Sequence, residues 1–283
     1  MTARRWKRFS TPEARYDYPG PLLRKHWTRL HQGDREPYPD AAYLADLITR
    51  HPALEPGMSP KEAGEVLQAA WRAFHSGDLG EAVRLGLSLG PLGYNVANKA
   101  TNIYATYLET TAGKKKALFL EAAERAEQLQ EAAPSLCNAW YLHAQALGRY
   151  SQEISVTAAL AQGLGGKIKR SLKQALKLEP RHADAHLALG VYHAEIIGKV
   201  GALLGSLTYG ASEKVACRHF AKALELAPTA PIVRIEQANG LLTLFGTSKR
   251  AEARRLYEEA ARCHPLDAME YLDASLAKLE LSD

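Results

Sequence analysis

Three histidines, His182, His186 and His193, stand 4 and 7 residues apart in the stretch "HADAHLALGVYH". At about 100° per residue on a helix, these positions fall within about 40° of one another, so all three project from one side. Imidazoles at such spacing bind zinc in HExxH sites, where the glutamate between them acts as the base. Here Ala183 follows the first histidine and the stretch contains no glutamate. What remains is a metal or small-molecule site without a base, or three half-buried structural histidines; the sequence favours the second reading.

Two glycine-rich stretches invite a similar test. A phosphate loop needs GxxxxGK followed by Ser or Thr, because backbone amides cradle the phosphate and the hydroxyl holds magnesium. In "QGLGGKIK", Ala161 stands where the first glycine belongs and Ile168 where the hydroxyl belongs. The stretch "GKVGALLGSLTYGAS", Gly198 to Ser212, is too short to span a bilayer, although it could lie at an interface. An insertion packed on neighbouring helices is the reading preferred here. "GKKK", Gly113 to Lys116, reads as a solvated turn. No GxSxG elbow occurs, and Cys263 and His264 are adjacent, which on a helix points them apart. Catalysis is therefore not expected, and neither is a cofactor.

Composition bounds the rest. The 283 residues include 46% hydrophobic and 24% charged, the range of globular chains that bury a core. Cys137, Cys217 and Cys263 lie far apart without a CxxC pair, as expected for reduced thiols in a cytoplasmic protein. Arg4 and Arg5 are followed by charged and turn residues instead of an apolar run, so no export signal is read. No uncharged run approaches the roughly 18 residues that a transmembrane helix requires.

Net charge is +5, and residues 1–35 alone carry nine cations against three acids. Trp6, Phe9, Tyr16, Tyr18 and Trp27 are interleaved with them, the pattern of an arm that contacts phosphates and stacks on bases. Eight prolines punctuate the first 60 residues, which favours an irregular leader over residues 1–60 whose aromatics pack on the domain. A nucleic-acid partner is not expected.

From residue 61 the chain turns to alanine-rich helical periodicity. In Glu62 to Gly90, Val66, Ala69, Ala70 and Ala73 form one stripe, "SGD" turns the chain, and Leu79, Ala82 and Val83 restart the stripe. That is an αα-hairpin, with Gly77 permitting its turn. Later segments stop alike: "SLKQALKLEP" at Pro180, "HFAKALELAP" at Pro228 and "LYEEAARCHP" at Pro265, each with an alanine five residues earlier.

These features resemble the tetratricopeptide repeat, whose 34-residue pattern wants small residues at helix contacts and a terminal proline. The resemblance implies an all-α solenoid of about five hairpins over residues 61–283, ending in a capping helix from about Leu266. Successive prolines are 48 and 37 residues apart, so two hairpins carry insertions, 151–167 and 198–212. It further implies a non-enzymatic scaffold that binds another protein or peptide on its concave face. Carried into this register, the groove residues would be Leu67, Trp71 and His75; Asn138, Tyr141, Gln145 and Arg149; and Asp184, Leu187, Val191 and Glu195. The alternative is a small-molecule or metal pocket built by the insertions with His182, His186 and His193.

Overall fold

The computed structural model describes Trp6, Phe9 and residues 16–282. Among these residues every regular element is helical and none is a strand. No helix is long and apolar enough to cross a membrane among the described residues. The chain divides into two compact units: one holds the described residues through Leu30 together with Glu36–Glu153, the other His31–Arg35 and Ile154 onward.

The first unit contains α1 (Leu22–Leu30), α2 (Ala41–Arg50), α3 (Pro60–Ser76), α4 (Leu79–Leu87), α5 (Tyr94–Tyr107), α6 (Ala112–Ala132) and α7 (Cys137–Gln152). Of its prolines, Pro52, Pro60 and Pro91 stand in the first turn of a helix, while Pro37, Pro39 and Pro56 lie in irregular stretches between helices. Pro60, for example, opens α3 behind Ser59, whose hydroxyl accepts from the Glu62 amide while the Glu62 carboxylate accepts from Ser59 in return. At the other end of α3, Gly77 takes φ 87° and Asp78 caps α4, which makes the "SGD" turn.

Helix α5 is the centre of this unit, buried without interruption from Asn95 to Ala105. Its approach to α4 depends on two glycines: a Cβ on Gly93 would lie 2.0 Å from the Gly86 carbonyl oxygen. Helices α3, α4, α6 and α7 all pack on α5. From the other side α1 brings Trp27 edge-on to Trp71 of α3, with ring centroids 5.8 Å apart.

The second unit contains α8 (Val156–Ala161), α9 (Leu164–Leu178), α10 (Ala183–Val200), α11 (Ala202–Tyr209), α12 (Glu213–Leu226), α13 (Pro231–Phe245), α14 (Arg250–Ala261) and α15 (Ala268–Glu280). Helices α9 and α12 each end two residues before the prolines that the sequence singles out, Pro180 and Pro228. The core of this unit closes on Phe220 of α12, which is fully buried. Gly190 of α10 and Gly240 of α13 both meet that ring, and a Cβ on either would approach it to 2.6 or 2.4 Å. Helix α15 packs on α13 and α14, with Asp267 accepting from the Glu270 amide at its start. Helices α8 and α11 occupy the two expected insertions.

Candidate functional site

In the first unit, a polar seam runs through an otherwise apolar core. Asn95, Asn98 and Asn102 follow one another along one side of α5, and Asn138 and Gln145 lie along α7. The Asn102 amide donates to Gln145 Oε1 at 2.9 Å, and Arg125 of α6 donates to Asn98 Oδ1 at 2.8 Å and to Thr101 Oγ1 at 2.9 Å. Three amide atoms, Asn95 Oδ1, Asn98 Nδ2 and Asn102 Oδ1, are buried without a hydrogen-bond partner in the protein. Buried amides normally find partners, so the seam holds spare capacity.

One end of the seam grips the chain's own Glu36. Its carboxylate accepts from Asn95 Nδ2 at 3.1 and 3.3 Å and from Asn138 Nδ2. The indole of Trp27 donates to the Glu36 carbonyl at 2.7 Å, and Gln68 of α3 donates to the Pro39 carbonyl at 3.0 Å. Arg72 reaches two further carbonyls, those of Tyr18 at 2.9 Å and Gly20 at 3.2 Å. A side-chain charge and four carbonyls of the N-terminal segments are thus read by α1, α3, α5 and α7. Burial, with the Glu36 charge as the next cause, pushes the neighbouring Tyr43 phenol well above its ordinary value.

Most of the residues that the repeat register assigns to a groove lie inside these contacts. Leu67, Trp71 and His75 are buried, the last two beside Trp27. Asn138 and Tyr141 are buried as well, while Gln145 and Arg149 are half-buried, Arg149 donating to Gln152. In the second unit, the Asp184 amide donates to the Gly33 carbonyl at 3.0 Å, Leu187 is buried, Val191 packs on the Phe220 core, and Glu195 pairs with Lys199 on the surface.

The three histidines separate. His182 caps α10, its Nδ1 accepting from the Ala185 amide at 3.1 Å, because it stands just outside the helix. His186 and His193 turn instead toward His219 of α12. The His186–His219 Nδ1 separation is 2.8 Å, and the His193 and His219 rings stack at 6.3 Å. His186 Nε2 lies 3.1 Å from the Pro180 carbonyl, which can only accept, so that nitrogen carries the proton. Its Nδ1 is then the acceptor and His219 Nδ1 the donor. His193 Nδ1 accepts from the Ser212 amide at 3.2 Å. Burial holds His193 and His219 down to about 4; Lys169, Lys173 and Arg218 reinforce this for His193, and His186, His193 and Arg218 for His219. Among the described residues no group of three or more His, Cys, Asp or Glu side chains is arranged to hold a metal ion.

Reasoning from sequence missed Glu36, Asn95, Gln68 and His219. Nothing local marks them, since each acts only through a partner on another element. No protein-family model matches this chain, and no curated protein sequence matches it.

Proposed function

We propose that this chain is a non-enzymatic interaction protein that holds an extended polypeptide segment of a partner, and that its hairpins are a divergent tetratricopeptide-like array. The observation that carries the reading is the clasp on Glu36 and Pro39. Asn95 and Asn138, two buried amides from different helices, converge on a carboxylate, while Trp27 and Gln68 take the backbone carbonyls of Glu36 and Pro39. Backbone carbonyls read at fixed spacing, with one side-chain charge for specificity, are the elements of extended-peptide recognition. In this reading the chain's own segment stands in the place of a partner's, and an acidic, proline-containing peptide is the class of ligand that fits.

The test is competition for the clasp in the full chain. Amide-to-carboxylate hydrogen bonds are worth about 1.5–3 kcal/mol each, and a tethered segment competes at an effective concentration on the order of millimolar. A labelled peptide copying residues 33–42, GDREPYPDAA, should therefore bind the Glu36→Ala chain saturably and the unaltered chain far more weakly. Adding Asn138→Ala to Glu36→Ala should abolish binding. Fluorescence anisotropy reads all three. The reading fails if Glu36→Ala gives no saturable signal, or if the Asn138 change leaves the signal intact.

A further inference from the structure

We propose that the two insertions of the second unit form a surface that docks on an anionic lipid bilayer, with α11 lying in the interface. The first observation is exposure. Leu203 and Leu207, one turn apart on α11, are 78% and 77% exposed, and Leu204 between them is 54% exposed. On α8, Val156 and Leu160 are 40% and 45% exposed. Single exposed leucines are ordinary, but three on one eight-residue helix leave its apolar side without a partner.

The second observation joins the insertions. Helix α8 leads through Gly163, at φ 62°, into α9. The Tyr209 ring at the end of α11 lies against Gly165 of α9, where a Cβ would stand 3.1 Å away, and the Lys169 ammonium donates to the Tyr209 carbonyl. The end of α11 therefore sits on the start of α9. Lys169, one turn before the exposed Lys173, thus joins the end of the leucine-bearing helix to the cations of α9.

The third observation is charge, and it selects the occupant. Residues 154–178 contain five cations and no carboxylate, and residues 196–212 contain one cation and no carboxylate. These six exceed the net charge of the whole chain, +5. Lys199 is paired with Glu195, but Lys167, Arg170 and Lys173 are exposed on α9. Exposed leucines on α11 and cations on the neighbouring α9 supply the two parts of a headgroup-boundary contact, apolar side toward the acyl chains and cations toward phosphate. Cores of protein interfaces are instead rich in aromatic residues and poor in lysine. At eight residues α11 is about 12 Å long, so it lies in the interface and does not cross it.

Vesicle flotation of the full chain tests the assignment. The chain should float with vesicles of phosphatidylcholine containing phosphatidylglycerol, and not with phosphatidylcholine alone. Binding should fall steeply as salt rises, because the Debye length shrinks to about 3 Å at 1 M. Leu203→Ser/Leu207→Ser should lower partitioning more than tenfold. Arg170→Gln and Lys173→Gln should each lower it about fivefold. Both sets change exposed side chains, and the lipid and salt dependence of the unaltered chain needs no variant. Absence of flotation, or equal flotation with neutral vesicles, would overturn the proposal. So would a dimer in sedimentation equilibrium that the leucine changes dissociate while flotation is unaffected, which would assign the face to a second copy.

Discussion

Gly190→Ala isolates the packing that organises the second unit. Its Cβ would stand 2.6 Å from both Cδ1 and Cε1 of Phe220. Carbon atoms at rest sit about 3.5–4.0 Å apart, so the ring would have to retreat by roughly 1 Å. Gly240 blocks the retreat, because the space for its own Cβ is already within 2.4 Å of the ring. Overpacking of this kind costs about 1–3 kcal/mol, against about 1 kcal/mol gained from replacing glycine by alanine within a helix. A net loss of up to about 2 kcal/mol follows. The double change Gly190→Ala/Gly240→Ala should lose about 1 kcal/mol more than the sum of the two, since the ring is then squeezed from both sides. Phe220→Leu should cost less in the Gly190→Ala chain than in the unaltered one. Urea denaturation followed by far-ultraviolet circular dichroism measures all of these. Tryptophan fluorescence does not, because Trp6, Trp27, Trp71 and Trp140 all belong to the first unit. A Gly190→Ala chain about 1 kcal/mol more stable than the original would show helix propensity acting alone and refute the clamp.

Three further outcomes are expected. Gly93→Ala, whose Cβ would meet the Gly86 backbone at 2.0 Å, should force α4 from α5 at a cost above about 3 kcal/mol, read as an early tryptophan-fluorescence transition. Because His193 and His219 are held near 4 against an ordinary 6.5, the unfolded chain binds more protons than the folded one between those values, so stability falls as pH drops through that window. His219 is only half-buried, so its share of the loss should be about 1–2 kcal/mol, and His219→Gln should flatten the pH profile of the urea midpoint. Glu36→Gln keeps the shape of the clasp but replaces one acceptor oxygen by a donor facing Asn95 and Asn138, which should cost about 1–3 kcal/mol and be recovered in part by Asn138→Asp at neutral pH.

Local pattern determined the elements. The alanine stripes and the "SGD" turn give α3 and α4, and Pro180 and Pro228 stop α9 and α12, because helical periodicity and proline geometry act within a few residues. The same locality explains what could not be read. The prolines of residues 1–60 suggest an irregular leader; Pro37, Pro39 and Pro56 do lie between helices, but α1 and α2 form there as well and Pro60 opens α3, since proline also favours the first turn. The histidine stripe is legible as a shared helix side, but whether those rings meet a metal, a backbone carbonyl or a third imidazole depends on His219, which lies 26 residues beyond His193 on another helix. Nothing in the local sequence singles out Gly190 and Gly240; only tertiary packing makes them the two walls of Phe220. The insertion Gly198–Ser212 reads as packed on neighbouring helices, and Gly205 does meet Ile196, yet Leu203 and Leu207 face outward. Sequence sets which residues need partners; the arrangement of the helices decides who those partners are, because contacts between distant segments are chosen by packing and not by spacing along the chain.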